Sequence, residues 1–220
     1  MATVKKRVAI LISGRGSNMQ SLVTAARAKD FPAKIAAVIS NRPEAPGLAW
    51  AKSKKIATVA LDHKSYRSRD AFETDLQKAL EAADVELIAL AGFMRLMTPA
   101  FVERWRNRMI NIHPSLLPAF KGLHTHESAL EQGVRIAGCT VHFVRAEMDS
   151  GPIIAQAAVP ILSGDTSVSL AKRVLAAEHK LYPQALRCVA SGRARVEGEK
   201  VYISEDVNPA KPLFSPSVDE

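Results

Sequence analysis

Asn111 and His113 alternate along the apolar stretch Met109-Ile110-Asn111-Ile112-His113, which Pro114 brings to an end. Side chains alternate across a strand, so the amide and the imidazole point to one face. Proline cannot extend a ladder, which puts the pair at the strand's terminus. Asp149 follows in the turn-forming run Met148-Asp149-Ser150-Gly151-Pro152. An amide that steadies an oxyanion, an imidazole that moves a proton and a carboxylate that orients the imidazole are the parts of an acyl transfer between amines. Singly, each residue has an ordinary explanation: a core histidine bonded to backbone, a turn-forming Asn, an Asp in loop chemistry. Two polar side chains on one face of an apolar strand favour function over those explanations.

Ser13-Gly14-Arg15-Gly16-Ser17-Asn18 links an apolar run to a helical pattern. Glycines let backbone N–H groups approach a ligand, and a helix N-terminus favours an anion. Position 19 is Met, so the dinucleotide pattern is incomplete, and no Lys stands in P-loop register. A single phosphate monoester fits better; the alternative is a tight turn capped by Ser17 or Asn18. Glu178 falls on the apolar stripe Val174, Leu181, Ala185 of a long helical pattern. A buried carboxylate needs a partner: Arg173, His179 or a ligand. His124 and His126 alternate on an expected loop, but no third or fourth ligand accompanies them, and no metal site is expected. Met94 to Met97 offers adaptable lining for a flat aromatic ligand, or plain core.

Alternating elements must hold these residues. Runs 8–12, 35–40, 58–61, 87–91 and 109–112 read as strands, mostly continuous apolar ones as in a parallel sheet covered on both faces. Patterns 18–29, 48–54, 69–82 and 99–105 read as the helices between them. The expected fold is α/β, a doubly wound, mostly parallel sheet. Strands 140–144 and 153–159 are separated by too short a loop for a crossover, so the C-terminal portion should be antiparallel. A helix over 167–189 and a hairpin over 193–203 follow, then a polar, Pro-containing tail from 205 to 220. We expect one domain over 1–204, with a nucleotide-binding half (1–108) and a catalytic half (109–204).

Thirty basic against 22 acidic residues give a net charge of +8, which favours phosphorylated or carboxylated small molecules. No like-charge block and few aromatics argue against nucleic acid. Two separate cysteines fit a reducing compartment, and neither a signal sequence nor an apolar run of spanning length is evident. A cytoplasmic monomer or homodimer is expected.

These segments together resemble the phosphoribosylglycinamide formyltransferase family, folate-dependent enzymes of purine synthesis, over residues 7–190. The carriers are residues 11–18, Ser40-Asn41-Arg42, residues 90–95 and residues 110–118. Gly122-Leu123-His124-Thr125-His126, Val141-His142-Phe143-Val144 and the Asp149, Gly151, Pro152 set complete them. The resemblance implies formyl transfer from 10-formyltetrahydrofolate to the amine of phosphoribosylglycinamide, with no metal. It assigns catalysis to Asn111, His113 and Asp149. Gly16, Ser17, Asn18 and Glu178 would hold the ribonucleotide. Arg69, Met94, Arg95, Leu96, Met97, Asn111, Arg145, Ala146, Glu147, Met148 and Asp149 would line the folate site. One departure is Arg145-Ala146-Glu147, where relatives often carry more acidic residues.

Two neighbours share the Asn-His-Asp core. Methionyl-transfer-RNA formyltransferases usually carry a further C-terminal domain, and formyltetrahydrofolate hydrolases an extra N-terminal one; neither is expected here. A non-catalytic phosphate- or folate-binding module is the third alternative.

Overall fold

Five apolar runs form parallel strands in the computed structural model, which describes residues 4–204 and Ser215. They are β1 (Lys6–Ile12), β2 (Ala33–Ser40), β3 (Ala57–Ala60), β4 (Leu87–Leu90) and β5 (Met109–His113). β6 (Ile136–Phe143) and β7 (Ile153–Pro160) complete a seven-stranded sheet ordered β3-β2-β1-β4-β5-β6-β7, in which β5–β6 and β6–β7 pair antiparallel. The expected fold class is the observed one. Apart from Ser215, the expected loose tail lies outside the described residues.

The sheet is covered on both faces, which is why β1 reads as an unbroken apolar run. Val8, Ile10 and Ile12 pack toward α1 (Ser17–Ala26) and α6 (Ser167–Ala190), among Leu22, Val174 and Tyr182. Ala9 and Leu11 pack toward α3 (Arg69–Ala82) and α4 (Pro99–Arg104), among Phe72, Leu76 and Phe101. Each such side chain taken fully out of water contributes roughly 1.5–3 kcal/mol. α2 (Pro46–Ser53) follows β2, and a separate hairpin of β8 (Ala194–Glu197) and β9 (Lys200–Ile203) follows α6.

Two expectations need correction. β6 starts at Ile136, not at 140, because Ala137 and Gly138 hide the strand pattern. A Cβ on Gly138 would lie 2.0 Å from the Ala157 carbonyl oxygen of β7, so the close approach of the two strands demands glycine. The stretch expected as a loop around His124 and His126 is a helix, α5 (Thr125–Glu131), with His124 as its left-handed N-cap. Seven residues are too few for helical periodicity to stand out.

The carbonyl ends of β1, β4 and β5 lie where the strand order reverses, the usual ligand crevice of such sheets. Tyr182 on α6 closes this seam from below. Its hydroxyl lies 2.9 Å from the Leu90 carbonyl oxygen of β4 and 3.2 Å from that of Ile110 in β5. Complete burial holds its pKa well above the usual phenol value, so the hydroxyl stays a donor. Among the described residues, no helix is long and apolar enough to cross a membrane.

Candidate active site

At the crevice, Asn111 of β5 stands opposite His142 of β6 in the antiparallel register. The His142 Nδ1 is 3.0 Å from the Phe143 carbonyl oxygen, which only accepts, so Nδ1 carries the hydrogen. The Nε2 lone pair then accepts from the Asn111 Nδ2, at 3.3 Å. Burial holds the His142 pKa down, consistent with this neutral tautomer. The Asn111 amide is thereby pinned with one N–H committed and one left to offer. Sequence alone gives His142 no role of its own, since its value appears only once the register sets it beside Asn111.

His113 is buried at the end of β5. Its Nε2 donates to the Phe120 carbonyl oxygen at 2.9 Å, and its Nδ1 faces the Asp149 Oδ2 at 3.4 Å. The backbone bond expected of a core histidine and the carboxylate expected of a catalytic one are thus both present. Asp149 lies in the β6–β7 loop with a left-handed φ of 51° and a nearly buried side chain. Its Oδ2 also accepts the Gly122 N–H at 2.9 Å, and its Oδ1 lies 3.8 Å from the His142 Nε2. Amide, two imidazoles and carboxylate therefore form one connected group.

This group borders a cavity of about 700 Å³. Met94, Leu96, Leu123 and Met148 supply apolar lining and expose much of their surface to water. Apolar walls beside a few convergent polar groups are the usual make-up of a small-molecule site. The 94–97 segment is held at both ends: the Met94 N–H donates to the buried Ser13 Oγ at 2.8 Å, and the Thr98 N–H donates to the buried Glu73 carboxylate at 2.7 Å. Arg95, Met97, Ala146 and Arg145 also border the cavity. Arg69 and Glu147 do not: Arg69 is exposed at the start of α3, and Glu147 is 3.0 Å from the Lys121 Nζ.

The Gly-rich turn lies elsewhere in the crevice. Gly16, with φ 67°, is the N-cap of α1 and offers no side-chain cap, so the alternative of a turn capped by Ser17 or Asn18 does not hold. Asn18 instead donates from Nδ2 to the Glu178 Oε2 at 2.6 Å, tying the turn to α6. The suggested partner Arg173 is engaged with Asp165 at 2.7 Å. Burial raises the Glu178 pKa, against the lowering effect of the Asn18 bond. The Asn18 Oδ1 and the His179 Nε2 are buried atoms with no hydrogen-bond partner. Ser17 and His179 both line a second groove, between α1, α2 and α6. An orphaned imidazole nitrogen beside a helix N-terminus is an opening for an anion. A run of sequence holds no sign of it. Among the described residues, no group of three or more His, Cys, Asp and Glu is disposed to hold a metal.

A doubly wound sheet with a catalytic-type cluster and a cavity at its strand ends defines an α/β enzyme acting on bound small molecules. The formyl transferase family profile matches residues 6–186, and the chain belongs to that family. It is 40% identical over 196 residues to phosphoribosylglycinamide formyltransferase of Escherichia coli (strain K12), covering 89% of this chain and 92% of that one. It is 47% identical over 204 residues to the trifunctional purine biosynthetic protein adenosine-3 of Bos taurus, covering 92% of this chain but only 20% of that longer protein. The solved structure of glycinamide ribonucleotide transformylase 1 from Symbiobacterium toebii superimposes with a TM-score of 0.89 at 47% identity, covering 91% of this chain and 95% of that one.

Proposed function

We propose that this chain transfers a formyl group from 10-formyltetrahydrofolate to the amine of phosphoribosylglycinamide, a step of de novo purine biosynthesis. The observation that carries the reading is the convergence of Asn111, His113 and Asp149 on an apolar-walled cavity in a formyl transferase chain. The free N–H of Asn111 donates to the formyl oxygen as negative charge develops on it. Asp149 and His113 handle the proton as a pair: the carboxylate takes it from the attacking amine and shares it with the facing His113 Nδ1, and the pair returns it to the departing folate nitrogen. His142 acts one step back, by fixing the Asn111 amide. We read residues 1–204 as one domain, its N-terminal half holding the ribonucleotide and its C-terminal half the reacting groups. We place it in the cytoplasm, as a monomer or homodimer acting on small molecules rather than nucleic acid.

The test is an assay of 10-formyltetrahydrofolate with and without phosphoribosylglycinamide. Formyl loss that requires the amine supports transfer. Equal loss to water supports the hydrolase reading and removes ours. Binding of either substrate without turnover supports a binding module.

For the ribonucleotide, the first-turn N–H groups at Gly16, Ser17 and Asn18 take the phosphate, with His179 beside them, and Glu178 takes the substrate's polar groups. Glu178→Gln and His179→Ala are each expected to raise KM for the ribonucleotide about tenfold, the size of one hydrogen bond to a charged group. KM for the folate should not move. Glu178→Gln carries a second signature. A raised carboxyl pKa means that the folded state disfavours the ionised form. The stability it contributes is full below the ordinary carboxylate pKa and is lost as pH rises through the raised one. The variant should therefore melt higher than wild type at about pH 8 and lose that advantage at about pH 4. A lower Tm at the higher pH would contradict this.

A further inference from the structure

The loop that carries Asp149 is fastened to the C-terminal hairpin. Arg145, the second residue after β6, has a side chain only 10% exposed. Each of its three guanidinium nitrogens makes one bond: Nε donates to the Glu199 Oε2 at 2.9 Å, Nη1 to the Val144 carbonyl oxygen at 3.1 Å and Nη2 to the Asn107 Oδ1 at 2.9 Å. The other Glu199 oxygen accepts from the Arg106 Nη2 at 2.8 Å. Arg106 and Asn107 lie in the connection from α4 to β5, and Val144 bonds the first residue of β5 through its N–H to the Met109 carbonyl oxygen at 2.9 Å. The far end of the loop leans on the same side chain, since a Cβ on Gly151 would lie 3.1 Å from the Arg145 Cγ. One carboxylate at the β8–β9 turn thus bridges two arginines, one of which starts the loop and touches its end. No hairpin residue borders the 700 Å³ cavity.

We propose that Glu199 and Arg145 are positioning residues: the hairpin, outside the sheet and away from both substrates, sets the seat of the 145–149 loop and so the binding of the formyl donor. An arginine with each of its three nitrogens bonded within the protein is committed to holding a loop. The inference rests on reading the cavity as the donor site. It also gives the sequence departure at Arg145-Ala146-Glu147 a use, because a small or acidic residue at 145 could not make this bridge.

The experiment combines kinetics with hydrogen exchange on the whole chain. Glu199→Gln and Arg145→Ala are each expected to raise KM for 10-formyltetrahydrofolate about two- to fivefold, the range of a half-exposed ion pair, with KM for phosphoribosylglycinamide unchanged. The double variant should be no worse than Arg145→Ala alone, since both changes break one bridge. Glu199→Asp should recover part of the loss. Glu199 is half exposed, so its substitution leaves the core untouched. In the ligand-free protein, Glu199→Gln should speed deuterium uptake over residues 144–151 and leave α3 at the wild-type rate. Wild-type KM and wild-type uptake in Glu199→Gln overturn the proposal, as does strict additivity in the double variant. If the wild-type chain transfers no formyl group, the functional reading fails, and the uptake comparison alone decides the fastening.

Discussion

Replacing His113 by alanine is expected to lower kcat by about two to four powers of ten while leaving KM for the ribonucleotide within a few-fold of wild type. The ring is held from both sides, by the Phe120 carbonyl and by Asp149, so its position depends on no ligand. Its removal takes away the proton carrier, while the turn at Gly16 and the Asn18–Glu178 bond lie on other elements. Truncation also takes one partner from the part-buried Phe120 carbonyl and one from the nearly buried Asp149 carboxylate, which keeps the Gly122 N–H, at a cost of about 1–3 kcal/mol. The rate should therefore be measured well below the variant's Tm. Asp149→Asn separates charge from shape. Asparagine keeps an oxygen for the Gly122 N–H and keeps the loop in place, but it faces the imidazole without a negative charge. A similar fall in kcat, with little change in Tm, is expected. Activity within a few-fold of wild type in both variants would refute the catalytic assignment.

Gly151→Ala should do comparable damage by another route. A Cβ there would lie 1.7 Å from the Phe143 carbonyl oxygen, a distance no packing adjustment accommodates. Backbone must move, and both pieces of backbone matter. Gly151 is two residues from Asp149. The Phe143 oxygen is the acceptor that sets the His142 tautomer, and His142 in turn holds Asn111. The added methyl therefore displaces the carboxylate and loosens the amide at once. A loss of kcat of at least about a hundredfold is expected, with destabilisation of about 1–3 kcal/mol from overpacking. The two effects are read separately, by urea unfolding and by turnover at low temperature. A stable variant with wild-type kcat would show that the loop has a second seat that serves equally well.

These cases mark what a sequence can and cannot show about such a site. Asn111 and His113 were legible because polar residues interrupt an apolar strand, and the parallel sheet was legible because burial on both faces leaves strands such as β1 without a polar side. Glu178 stood out by the same contrast on a helix. His142 did not, because its importance comes from lying across the ladder from Asn111, a fact of register. His179 enters the sequence only as a possible partner of Glu178, a place that Asn18 takes, since a missing hydrogen bond leaves no mark on composition. Gly151 reads as turn chemistry until the Phe143 carbonyl is seen against it. Arg69 and Glu147 entered through the family resemblance alone, and neither borders the cavity. Their parts in donor binding stay proposals that rest on that resemblance.

Tyr182 and Glu178 stand one turn apart on α6. The first is anchored to the carbonyls of β4 and β5 beneath the reacting groups, and the second is bonded to the Gly-rich turn. On the proposed reading, this turn of α6 works as a gauge block between the acceptor's berth and the donor's. Its length sets how far apart two bound molecules stand, whatever each berth does alone. A fault in that gauge would leave both substrates bound at full strength and out of reach of each other.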